Sequence, residues 1–179
     1  MGRSGLTLVE LLTVLSIAAV LLASAAPPMF RLLHSVNLST ASNAFLSSLR
    51  LARSEALRRG GRVAMCRSSN GLSCATAGSW EQGWIVFHDL NANGLADPGE
   101  TLIQRADAVG GGLVLHGTAQ VAAALTFTGM GSMRTAAGGL QAGTFTVCRP
   151  LDVPAVARQI VLASGGRARV VQVTLDTCA

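Results

Sequence analysis

Tyrosine and lysine are absent from this 179-residue chain, and aromatic residues make up only 4% of it. With so few rings, aliphatic side chains must carry any core, and a surface that holds single strands by stacking bases on aromatics is not indicated. Without lysine, all 14 basic residues are arginine, set against nine acidic ones for a net charge of +5. Arginine forks onto phosphate and carboxylate, and the modest positive excess permits a nucleic acid or a membrane surface as partner. No CxxC pair occurs and no histidine lies close to a cysteine, so no zinc site is expected. No HExxH, phosphate loop or nucleophile motif is present, and His34, His88 and His116 sit far apart in dissimilar contexts. The expectation is a protein that is not an enzyme and carries no cofactor. There is neither an internal repeat nor a long low-complexity linker.

Half of the residues are hydrophobic, enough for a packed core after a membrane segment is set aside. The four cysteines, Cys66, Cys74, Cys148 and Cys178, suggest disulfides in a small exported domain. Three connectivities are possible, and the two local ones are preferred. Cys66–Cys74 would close a short loop containing Ser68, Ser69, Asn70 and Gly71. Cys148–Cys178 would tie the C-terminus to an earlier strand.

Residues 6–26 form an apolar run interrupted by one charge, Glu10. At about 1.5 Å per residue this run reaches roughly 31 Å, enough to cross a bilayer core. A carboxylate inside a bilayer is costly and usually functional. A cleaved signal peptide fits poorly, because the positive leader is very short, the run is long and Glu10 has no use there. Pro27-Pro28 should bend the helix without ending it. Beyond it, Phe45, Leu49, Ala52 and Ala56 share one helical face, while Arg50, Arg53 and Arg58 point mostly elsewhere. Gly60-Gly61 is a C-terminal stop. After it come short β-like runs with turn signals, at 62–66, 84–88, 101–105, 113–115, 125–128, 144–148, 158–162 and 167–175. The expected organisation is a leader over 1–5, a stem helix over 6–60 and a β-rich head over 61–179. Its class is α+β, with a long helix packed on antiparallel strands.

Gly5-Leu6-Thr7-Leu8-Val9-Glu10, followed by an apolar helix and then Pro27, resembles the class III leader of type IV pilins and pseudopilins. The resemblance implies cleavage after Gly5 by a prepilin peptidase and N-methylation of Leu6, where the family usually has Phe. It also implies that Glu10 meets the N-terminal amine of a neighbouring subunit, which would make a buried carboxylate tolerable. Ala52-Arg53-Ser54-Glu55-Ala56, together with Trp84-Ile85-Val86-Phe87 and Asp89-Leu90-Asn91-Ala92-Asn93-Gly94, is similar to the GspH/FimT branch of minor pilins. The implied life history is storage in the inner membrane with the head in the periplasm. Assembly with other major and minor pilins would follow, in an extracellular pilus, at or near its tip.

Two stretches carry candidate chemistry. Residues 89–100 satisfy a calcium-loop pattern, with Asp89, Asn91, Asn93, Asp97 and Glu100 as oxygen donors. Strand-like flanks replace the expected helices, so a hairpin loop held by side-chain-to-backbone turns is favoured over a metal site. The second is Ser164-Gly165-Gly166-Arg167-Ala168-Arg169, read as a hairpin turn with Arg167 and Arg169 on one strand face. Val171, Val173 and Leu175 would continue that face into the core. Two guanidiniums beside a glycine turn can clamp phosphates. Gly166-Arg167-Ala168-Arg169 also matches the GRxR motif of FimT-type minor pilins, which bind DNA in natural transformation. By that resemblance Gly166, Arg167 and Arg169 would bind double-stranded DNA. Arg134, Arg149 and Arg158 are candidates to extend a basic patch. The competing expectation is a structural minor pilin, or a type II secretion pseudopilin, that primes filament assembly without DNA.

Overall fold

The structure is a computed structural model that describes residues 7–151 and 154–178, with the side chains of residues 22–32 outside the description. The expected processing residues Gly5 and Leu6 therefore lie outside the described residues. Helix α1 spans Leu8–Arg59, and its backbone is helical across positions 27 and 28. Among the described residues, eight strands follow: β1 (Val63–Arg67), β2 (Trp84–His88), β3 (Leu102–Ala106), β4 (Val114–Gly117), β5 (Ala124–Phe127), β6 (Gly143–Cys148), β7 (Ala155–Leu162) and β8 (Ala168–Leu175). They form two four-stranded sheets, ordered β3-β2-β1-β5 and β4-β6-β7-β8. Every pairing is antiparallel.

The chain divides into two compact units, Met1–Val36 and Asn37–Ala179. In the first, Thr7 and Glu10 open α1 as a capping box. The Thr7 hydroxyl accepts from the Glu10 amide at 3.3 Å, and a Glu10 carboxylate oxygen accepts from the Thr7 amide at 3.4 Å. Leu8, Leu11, Leu12, Leu15 and Ile17 are exposed in the isolated chain. Among the described residues, no helix is long and apolar enough to cross a membrane.

In the second unit, residues 37–59 of α1 supply the apolar stripe read from the sequence. Phe45, Leu49, Ala52 and Ala56 are buried. They join Val63, Met65, Trp84, Val86, Leu115, Phe127, Phe145 and Ile160 in one core shared with both sheets. Phe45 is its centre: its ring lies 5.3 Å from Trp80, 5.0 Å from Trp84 and 4.6 Å from Phe145. Both tryptophans are core residues, and the Trp80 indole donates to the Val121 carbonyl at 3.0 Å.

A second, smaller apolar cluster covers the other face of the first sheet, built on Ala64, Cys66, Ile85 and Phe87. It explains why β1 and β2 read as continuous apolar runs rather than alternating ones, since both of their faces are buried. Cys66 is bonded to Cys74 and Cys148 to Cys178. The first bridge folds residues 67–73 beside this face, where Arg67 donates to the carbonyls of Ala75, Thr76 and Gly78.

Two strand readings are corrected. β7 begins at Ala155 rather than 158, because its pairing with β8 continues to Ala155 opposite Leu175. β8 begins at Ala168, since Arg167 closes the turn through its carbonyl, which accepts from the Ala163 amide at 3.0 Å. The face of Val171, Val173 and Leu175 is half-buried rather than buried, because β8 is an edge strand. At the turn end it is the opposite face, through Ala168 and Val170, that packs on the core.

Two consequences are measurable. Truncating Phe45 to Ala should lower the unfolding free energy by about 3–5 kcal/mol in denaturant titrations, because the rings of Trp80, Trp84 and Phe145 cannot close around the void. At the end of α1, Glu55 accepts from Arg58 at 2.6 Å and from Arg59 at 2.8 Å. These hydrogen bonds hold its pKa down at about 2. A lowered folded-state pKa means stability that is present above the unfolded value near 4.5 and lost as pH falls through about 2. The melting temperature should decline across that window, and Glu55→Gln should make the decline shallower.

Candidate nucleic-acid interface

The β7–β8 turn is built around Gly166. Its φ is +76°, and the Gly166 amide donates to the Ala163 carbonyl at 2.8 Å. A Cβ there would lie 2.0 Å from the Gly131 carbonyl oxygen and 3.1 Å from Arg53 Nε. Positive φ and absence of space thus both demand glycine. A neighbouring loop docks on the turn, with the Met133 amide donating to the Ser164 carbonyl at 2.7 Å.

Arg167 and Arg169 are both exposed, one in the turn and one on β8 opposite Val161. No described ion pair involves either of them. The structure adds two arginines that periodicity alone set aside. Arg53 on α1 donates from Nε to the Gly131 carbonyl at 3.1 Å and from Nη2 to the Gly165 carbonyl at 3.3 Å. It thereby ties the stem helix to the turn. Arg50 lies one turn earlier on the same side of the helix. Leu49, Arg50, Arg53, Gly166, Arg167 and Ala168 line a cleft of about 340 Å³. The sequence signal for this juxtaposition was the Arg53 of the stem string itself, whose partner 112 residues away no local pattern reveals.

Two of the other candidate arginines, Arg158 and Arg134, are directed elsewhere. Arg158 has the opposite strand parity to Val161, so it projects from the other side of the β7–β8 pair relative to Arg169. Arg134 donates to the Gly138 carbonyl in its own loop at 2.9 Å.

In the 89–100 loop the oxygen donors bind the loop's own groups. Asp89, buried beneath the loop, accepts from the Asn93 and Gly94 amides at 3.1 and 3.0 Å. Burial pushes its pKa up. Asp97 accepts from the side-chain amides of Asn91 and Asn93 at 2.8 and 2.7 Å, which lowers its pKa. Glu100 accepts from the Leu90 and Asp97 amides at 2.8 and 3.1 Å. Ala96 packs on the second apolar cluster, so the loop also serves as a cover for the sheet. Among the described residues, no three acidic, histidine or cysteine side chains converge on a common point.

The two-sheet head with a stem helix across its core has the fold of type IV pilins. Two crystal forms of the type IV minor pilin FimU from Pseudomonas aeruginosa PAO1 resemble it, with TM-scores of 0.58 and 0.55 at 17% and 18% identity. The matches cover 79% of this chain in both cases and 95% and 100% of those chains. A family model described as type II transport protein GspH matches residues 41–176. The chain belongs to that GspH family of minor pilins and pseudopilins. It is also 40% identical over 100 residues to the pilin-like protein PilA1 of Thermus thermophilus, an alignment that spans 56% of this chain and 57% of that relative.

The two turn glycines should respond differently to alanine. Gly166→Ala is expected to lower stability by about 1–3 kcal/mol through strain and collision with the Gly131 carbonyl. A Cβ at Gly165 meets nothing within 4 Å, so Gly165→Ala should stay within about 0.5 kcal/mol of wild type. Paired thermal melts decide this.

Proposed function

We propose that the chain is a minor type IV pilin whose head binds extracellular double-stranded DNA through Gly166, Arg167 and Arg169, for uptake in natural transformation. The observation that carries the reading is the pair of exposed guanidiniums, Arg167 and Arg169, at a tight glycine turn with no described carboxylate partner. Uncompensated guanidiniums favour phosphate, and contacts of this kind hold the backbone without reading sequence.

The N-terminal unit belongs to assembly. The precursor is held in the inner membrane by residues 6–26, cut after Gly5 by a prepilin peptidase and methylated on Leu6. The exposed apolar side chains of residues 8–21 suit burial in lipid and then among neighbouring pilin helices. On this reading, the N-terminal amine of an adjacent subunit competes for the Glu10 carboxylate that the isolated chain uses to cap its own helix. The head is then carried to an extracellular pilus, at or near the tip.

The test is a titration of the full chain in detergent into labelled duplex, across a range of salt concentrations. The Arg167→Ala/Arg169→Ala double variant should bind at least about ten-fold more weakly. Its log–log salt slope should be shallower by about two, one unit per lost phosphate contact. Equal binding by the wild type and a folded double variant, or none by either, sinks the DNA reading. The chain would then be a filament-building subunit, a reading that the type II transport description of the matched family favours.

A further inference from the structure

We propose that the cleft between α1 and the β7–β8 turn seats a single phosphodiester group of a nucleic-acid backbone, with Arg50 and Arg167 as its ligands and Arg53 as the residue that positions the turn bearing Arg167. This rests on the DNA reading above and extends the interface from the hairpin onto the stem helix.

Three observations meet in the cleft. Among the described residues, it is lined by three arginines from two elements distant in sequence, and by no acidic side chain. Arg50 and Arg53 are three residues apart, so they rise side by side from one helix face. Arg53 is fixed by two neutral carbonyls, those of Gly131 and Gly165, rather than by a carboxylate. Its geometry is therefore set while its charge remains uncancelled. Three cations held around one cleft repel each other unless an anion joins them.

The remaining lining groups define what kind of anion fits. Gly166 presents backbone without a side chain, and Leu49 and Ala168 are aliphatic. No ring is available for a base to stack on, so the group held is the phosphate and the bases stay outside. Arg53 also sets the turn from which Arg167 projects. Loosening Arg53 therefore misplaces Arg167 without removing its charge.

The experiment uses the full chain in detergent with labelled AT-rich and GC-rich duplexes, comparing wild type with Arg50→Gln, Arg53→Lys and the Arg167→Ala/Arg169→Ala double variant. Arg50→Gln is expected to weaken both duplexes equally, by about three- to ten-fold, and to reduce the salt slope by about one. Arg53→Lys keeps the charge but lacks the fork that spans two carbonyls. It should weaken binding at a temperature where circular dichroism shows the head still folded. Wild-type affinity and slope in Arg50→Gln, alongside loss in the double variant, overturn the cleft while leaving the hairpin reading intact. Wild-type affinity in Arg53→Lys removes the positioning role, and unequal effects on the two duplexes overturn a phosphate-only seat. If the double variant itself binds like wild type, the hairpin reading falls and this extension falls with it.

Discussion

The packing of Phe45 is the constraint on which the head depends. Its ring touches Trp80 before β2, Trp84 on β2 and Phe145 on β6, so a single side chain joins the stem helix to both sheets. In a chain with only seven aromatic residues, four of them meet at this point. The contact fixes the rotation of α1 as well as its position. At about 100° per residue, Leu49 emerges about 40° from Phe45, Arg53 about 80° and Arg50 about 140°. Leu49 is therefore core, Arg53 sits at the margin where it reaches the loops, and Arg50 faces outward beside the turn. The basic cleft is a geometric consequence of how the core is keyed.

The absence of lysine acquires a structural meaning in the loops. Arg53, Arg62, Arg67 and Arg134 each donate to main-chain carbonyls of connecting segments. Segments outside the ladders leave carbonyl oxygens that need donors when they pack against the body of the protein. A guanidinium offers five donors in a rigid fork, enough to gather several carbonyls at once, as Arg67 does. Lysine, a point charge on a flexible stem, holds such a set less well. Arginine thus serves two purposes here: staples within the head, and exposed charges at the β7–β8 turn.

Much of this architecture was legible in the sequence because it is periodic or local. The stem stripe of Phe45, Leu49, Ala52 and Ala56 announces a covered helix face, and Gly60-Gly61 announces its end. The strand at WIVF is a short apolar run, while GTFTVC sets Thr144 and Thr146 among β-forming apolar residues, and turn residues bound both. The capping box is equally local, since Thr7 and Glu10 have the T-x-x-E spacing at the start of the apolar run. What was not legible depends on distant partners. The burial of both faces of β1 and β2 requires Cys74, Ala96 and Leu102 to fold over Phe87 and Ile85. Nothing in the β2 string says which segments will cover it. The β8 expectation failed for a related reason. Alternation placed Val171, Val173 and Leu175 on one face correctly, but only sheet order shows that β8 is an edge with little to bury that face against.

Within the GRxR string, the requirements of folding and of ligand binding separate residue by residue. Gly166 is demanded by backbone conformation and by the Gly131 carbonyl pressed against it, whatever the protein binds. Arg167 and Arg169 make no described ion pair, and nothing in the core depends on their charge. Concentrating like charges at one turn opposes folding, so an arrangement of this kind persists where something else compensates it. The Arg53 staple adds to the repulsion by bringing a further cation to the same place. That excess of positive charge is the feature on which the proposed phosphate seat rests. At this turn one of the cations, Arg53, is tied by the carbonyls of Gly131 and Gly165, beside the exposed Arg50 and Arg167 that line the same cleft.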